Sequence, residues 1–155
     1  MEKAFKIAKA ELGYQSEDGI SKYFEELFPE EHPMPYCLPF IEWVFVKAYG
    51  EEKAKSMLHM EEGFLYSVPA FLAIVKREGK FSRREAQVGW IVFLRTRQEW
   101  TNHVELITDV TGAEVSTIGG NCGAEVRANT YQRNDPRVYG YAKIIYGTED
   151  TGCTA

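Results

Sequence analysis

Residues 37–49, CLPFIEWVFVKAY, form an almost unbroken apolar run that follows Pro29, Pro33 and Pro35 and stops at Gly50. A helix that is apolar around most of its circumference has to be enclosed on every side, so the rest of the chain must wrap this segment. The preceding prolines favour extended backbone, and Pro39 is tolerable because it falls in the first turn, where its missing N–H is no loss. The run therefore predicts a buried central helix over Cys37–Tyr49.

The flanking patterns say what encloses it. Ala4, Phe5, Ala8 and Leu12 share one face of a helix over residues 2–12, which Gly13 ends. Residues 14–36 read as loop around a short amphipathic piece at Tyr23, Phe24, Leu27 and Phe28. Residues 51–66 read as a charged helical connection, and Pro69 opens a third helix that runs to Gly79. Beyond residue 86 the period changes. Val88–Leu94 is a short β-branched and aromatic run that meets the charged turn RTRQE. Residues 103–110 alternate, with Val104, Leu106 and Thr108 on one face and His103, Glu105 and Ile107 on the other; Thr111-Gly112 turns them back into Glu114–Ile118. Glu125–Tyr131 and Val138–Ile145 complete about five antiparallel strands. Helices followed by a meandering sheet predict an α+β fold in one domain over residues 1–147, with a polar tail at 148–155.

Composition narrows the function. With 155 residues, 18 Lys+Arg against 23 Asp+Glu give a net charge of −5, which argues against duplex nucleic acid as the main partner. Residues 76–97 depart from this balance: seven bases and two acids make them either a solvated helix end with turns or a contact for an anionic polymer. No apolar stretch reaches the ~20 residues of a membrane span, and the charged start MEKAFKIAKAELG has no signal core, so synthesis in a cytoplasm without membrane insertion is expected. Cys37, Cys122 and Cys153 are odd in number and in no metal-ligand spacing, so neither a zinc site nor another metal or cofactor is expected.

Three residues carry candidate chemistry. Cys37 stands where an extended segment becomes a helix, and the dipole and unpaired N–H groups of that end favour an anion; the alternative is a small buried hydrophobe. A thiol nucleophile needs a base and a group that orients the base. His59 reads as solvated and His32 as carried away by Pro33 and Pro35, which leaves His103, at the start of a strand. Hairpin closure returns Asn121 to the neighbourhood of His103, making it the orienting candidate rather than only a turn residue.

The segments AKAELGY (8–14), MPYCLPFIEWVF (34–45), VPAFLAIVKREGKF (68–81), VGWIVFL (88–94), NHVELITDV (102–110), VSTIGGN (115–121) and VYGYAKI (138–144) resemble, in order and spacing, the landmarks of the CHAP family. These are cysteine- and histidine-dependent amidohydrolases/peptidases of bacterial and phage cell-wall lysis, within the papain-like and NlpC-type group. The resemblance implies a nucleophile at Cys37, where Pro35-Tyr36-Cys37-Leu38-Pro39-Phe40-Ile41 matches the family's helix-opening pattern. It implies a base at His103, opening the His-Val strand, and an orienting residue at Asn121, closing an I-E-G-N-like turn. Tyr36 would line the cleft beside Gly119 and Gly120.

Three departures stand out. The acidic residue of I-E-G-N is Gly119, and the glycine after His-Val is Glu105, which crowds the cleft, supplies the missing carboxylate or simply faces solvent. Before the first strand, Gln87-Val88-Gly89-Trp90 keeps the family's glycine but loses its Asp, which would reshape a cleft wall at Trp90. The implied function is hydrolysis of a peptidoglycan amide, as an N-acetylmuramoyl-L-alanine amidase or a stem or cross-bridge endopeptidase, after holin- or secretion-mediated release. The alternatives are a binding domain that has lost activity and a cysteine protease or amidase acting away from the cell wall.

Overall fold

The computed structural model describes residues 1–97 and 100–147; the polar tail expected at 148–155 lies outside the described residues. Five helices precede the sheet: α1 Glu2–Ala10, α2 Lys22–Leu27, α3 Cys37–Tyr49, α4 Glu51–Met57 and α5 Val68–Arg77. Six strands follow: β1 Phe81–Ser82, β2 Ile91–Arg97, β3 Trp100–Val110, β4 Glu114–Gly119, β5 Arg127–Gln132 and β6 Val138–Ala142. They form one antiparallel sheet in the order β1-β6-β2-β3-β4-β5. The α+β architecture agrees with the sequence reading, with one more strand, the two-residue β1 on the sheet edge. No helix among the described residues is long and apolar enough to cross a membrane.

As the apolar run demanded, α3 is enclosed. It packs on α1, α2 and α4 on one side and on β3 and β4 on the other. Leu38, Phe40, Ile41, Val44 and Phe45 are wholly buried, and each such side chain contributes about 1.5–3 kcal/mol relative to exposure. Trp43 is half-buried and donates its indole N–H to Glu26. Helix boundaries shift where backbone requires it. The connection at 51–66 is helical only to Met57, because His59 takes a left-handed φ of 60° that breaks the helix. His59 is not solvated as expected: its Nε2 lies 3.0 Å from the Lys143 carbonyl. Gly89, at φ 89°, makes the turn that delays β2 to Ile91, and the strand runs on into the expected charged turn as far as Arg97.

One residue of α3 breaks the pattern. Glu42 is completely buried; its Oε1 accepts the Leu65 N–H at 2.9 Å, whereas Oε2 is buried without a hydrogen-bond partner. Burial pushes this carboxyl well above the ordinary range, so it is protonated in the folded state. Because the folded-state value is raised, its contribution is fully present below the unfolded carboxyl range near 4.5 and is lost as pH rises toward the folded value. Glu42→Gln removes this titration. The variant is expected to match the parent in melting temperature near pH 4.5 and to exceed it at higher pH, the gap growing by up to about 1.4 kcal/mol per pH unit. Parallel pH-dependent melts without this divergence would refute the assignment.

Candidate active site

Cys37 is the first residue of α3 and is only 3% exposed. Its Sγ lies 3.8 Å from the carbonyl of Asn102, the residue before His103. Tyr36 precedes it as the N-cap, buried among Tyr14 and Tyr23, with its ring edge against Gly120. Leu38 and Cys37 keep their backbone N–H groups in this first turn, and Pro39 has none. The chain end of β4 comes directly onto this turn because Gly120 has no side chain: a Cβ there would stand 2.7 Å from Phe40 Cβ.

His103 lies on β3 opposite Leu94 of β2. Its Nε2 donates to Glu105 Oε2 at 2.8 Å. Burial disfavours a charged imidazole, but hydrogen bonds with Cys122, Cys37 and Glu105 outweigh it, and His103 is pushed up to about 12.

Glu105 is wholly buried, and both its oxygens are satisfied. Oε1 accepts from Thr117 Oγ1 at 2.5 Å and Asn129 Nδ2 at 2.9 Å; Oε2 accepts from His103 and from Tyr131 OH at 2.6 Å. Burial alone would raise the carboxyl, but the His103 hydrogen bond and charge, with Thr117 and Tyr131, hold it below its ordinary value. Tyr131 is correspondingly raised, by burial and by the neighbouring carboxylate. Both shifts favour the charged forms of the pair.

The strand register explains how this cluster assembles. Leu106 pairs with Ile118, so Glu105 faces Gly119 one step further on, and Thr117 pairs with Asn129 and Val115 with Tyr131. Residues 103 and 105, 117 and 119, and 129 and 131 therefore project on one face. A Cβ on Gly119 would lie 2.4 Å from Glu105 Cγ, so the glycine vacates the space that the glutamate fills. The solvent-facing reading of Glu105 is overturned: the side chain is wholly buried, and its carboxylate reaches the His103 imidazole from β3.

Asn121, at a left-handed φ of 57°, reaches the same cavity as His103 but does not hold the imidazole; that place belongs to Glu105. Trp90 is also displaced from its expected place. It is 7% exposed, just before β2, four residues or about 13 Å along the chain from Leu94, the partner of His103. Thr117, Asn129, Tyr131 and Cys122 were not singled out as site residues from sequence; same-face alternation on paired strands is the signal that identifies the first three.

The cavity above this cluster, about 320 Å³, is lined by His103, Glu105, Asn121, Cys122, Asn129 and Tyr131 among others. On another part of the surface, Lys76, Arg83 and Arg95 of the basic segment gather around the Tyr139 ring at 5.0, 4.6 and 4.8 Å. Lys76 Nζ donates to the Tyr139 hydroxyl at 2.8 Å.

No protein-family model and no curated protein matches the chain. Solved structures that match include the crystal structure of Ly7917, at TM-score 0.55 and 14% identity, and that of Ly7917 with the hydrolyzing product of MDP, at TM-score 0.52 and 14% identity. Each match covers 92% of this chain and 62% of the Ly7917 chain. The helices and antiparallel sheet described above are a fold that this chain shares with Ly7917.

Proposed function

We propose that the chain is a thiol-dependent amidohydrolase of papain-like type that opens an amide bond of peptidoglycan, with Cys37 as nucleophile, His103 as base and Glu105 as the group that orients His103. The observation that carries this reading is the meeting of Cys37, buried at the start of the central helix with its Sγ 3.8 Å from the Asn102 carbonyl, with the adjoining His103, whose imidazole bonds the buried Glu105 at 2.8 Å. The crystallisation of Ly7917 with the hydrolyzing product of MDP, muramyl dipeptide, supports a cell-wall fragment as the substrate class. Residues 1–147 act as one catalytic domain in this reading, and the cations around Tyr139 are a contact for the anionic wall polymer.

The proton path follows from the geometry. His103 takes the Cys37 proton as the thiol attacks, and Glu105 stabilises the imidazolium that forms. The thiolate attacks the amide carbonyl, and N–H groups at the start of α3 stabilise the oxyanion. His103 then gives its proton to the leaving amine, which departs and leaves a thioester on Cys37. Water, deprotonated by His103, cleaves the thioester, releases a carboxylic acid and restores the thiol.

Sacculi of several cross-link types, incubated with the parent and with Cys37→Ala, test this reading. New amine and carboxyl termini in the soluble products are expected from the parent, at a level at least ~1,000-fold above the variant. Their identity distinguishes the sugar–peptide amide from a stem or bridge peptide bond. Equal release from both chains, or release from neither, would overturn the proposal.

A further inference from the structure

The catalytic reading does not use Cys122. Its sulfur stands 3.6 Å from His103 Nε2 and 3.8 Å from Glu105 Oε2, and those two atoms are 2.8 Å apart. In a tetrahedral zinc site with one sulfur, one imidazole nitrogen and one carboxylate oxygen, the metal–ligand distances place the ligand atoms about 3.3–3.6 Å from one another. The three atoms thus already outline one face of such a tetrahedron, to within about half an ångström.

Each ligand is also held from behind. Tyr131 OH anchors the coordinating oxygen of Glu105, and Thr117 and Asn129 fix the other oxygen. Asn129 Nδ2 also points at Cys122 Sγ from 3.5 Å, a donor suited to a thiolate. Such outer partners orient metal ligands and strengthen them. The cavity lined by all three residues supplies an entry path and room for a fourth ligand, water. Sulfur and imidazole donors select a borderline-soft divalent ion and disfavour calcium and magnesium, which require oxygen.

We propose that His103, Glu105 and Cys122 form a binding site for zinc, open at its fourth position, that blocks the hydrolytic site when filled. Metal on Nε2 replaces the proton that bonds Glu105, and metal on sulfur replaces the thiol proton, so two protons leave to solvent. His103 is then fixed as a neutral ligand, separated from its carboxylate, and no longer serves as the base for Cys37. The blocking effect rests on the proposed function, but the binding site does not.

Cobalt(II), whose spectrum reports coordination, tests the site on the full chain. The parent, Cys37→Ser and Cys153→Ser are expected to give sulfur-to-cobalt charge-transfer absorption with intense tetrahedral bands, removed by equimolar zinc. Cys122→Ser is expected to lose the charge-transfer band and to bind zinc at least ~100-fold more weakly. A band that survives in Cys122→Ser, or that is lost in Cys37→Ser, would overturn the assignment. Should Cys122→Ser not fold, alkylation of the parent decides: zinc is expected to protect Cys122 at least ~10-fold and to leave Cys153 unprotected, and equal labelling of Cys122 with and without zinc refutes the site. Zinc binding without inhibition of amide release from sacculi would refute only the blocking effect. Absence of any hydrolysis would count against the proposed function and leave the metal result intact.

Discussion

Glu105→Ala is expected to lower the melting temperature by roughly 6–20 °C and to abolish hydrolysis. The substitution removes one partner of a buried ion pair, which costs about 3–5 kcal/mol, and for a chain of this length each kcal/mol shifts the midpoint by about 2–4 °C. It also leaves Thr117, Asn129 and Tyr131 with donors that face a void. Glu105→Gln separates charge from shape. The amide keeps an acceptor for Thr117 and Asn129 but turns a second donor toward His103 and Tyr131, so the imidazolium loses its counter-charge. His103 then falls from about 12 toward its ordinary value, so the variant holds less imidazolium. Alkylation of Cys37 between pH 6 and 9 is expected to slow at least ~10-fold in Glu105→Gln. An alanine variant that melts within 2 °C of the parent, at about the precision of the size scaling, and keeps its alkylation rate would remove Glu105 from the site.

The second large effect concerns the glycine opposite. Gly119→Ala places a methyl 2.4 Å from Glu105 Cγ and 2.7 Å from Cδ, and the glutamate cannot move aside without breaking bonds to four partners. Overpacking by itself costs about 1–3 kcal/mol, and a damaged carboxylate network adds to it, so a loss of about 3 kcal/mol or more is expected. Gly112→Ala is the control, since nothing lies within 4 Å of its added Cβ. Because 105 and 119 face each other across β3 and β4, the exchanged variant Glu105→Gly/Gly119→Glu is expected to recover most of the stability that Gly119→Ala loses, and to regain Cys37 alkylation. Thermal melts of the four chains decide. Gly119→Ala as stable as Gly112→Ala, or an exchange that does worse than either single change, would refute the reciprocal packing.

These outcomes turn on a relation between two positions that are far apart in the chain, and this marks the limit of what sequence carries. The apolar run 37–49 determined the central helix by itself, because its periodicity and flanking prolines and glycine are local signals. Alternation in residues 103–110 and the Thr111-Gly112 turn likewise determined the β3–β4 hairpin. Cys37 and His103 were singled out from such local signals, although β3 begins at Trp100 and His103 lies inside it rather than at its start. The partner of the His103 imidazole was not legible. Asn121 was favoured by chain proximity, yet a hydrogen bond selects whichever acceptor the register brings within 3 Å, and here that is Glu105 at 2.8 Å. Thr117, Asn129 and Tyr131 belong to two further strands and carry no mark of their own; pairing of β4 with β5 gathers them on one face around the buried Glu105 carboxylate, which accepts a hydrogen bond from each. Cys122 looked like a leftover thiol because its spacing from other ligand types is irregular, and only the turn beyond β4 brings it to His103. Local periodicity thus decided the elements, while the long-range register between strands decided which polar groups share a buried space, and that sharing sets their charges and the chemistry open to them.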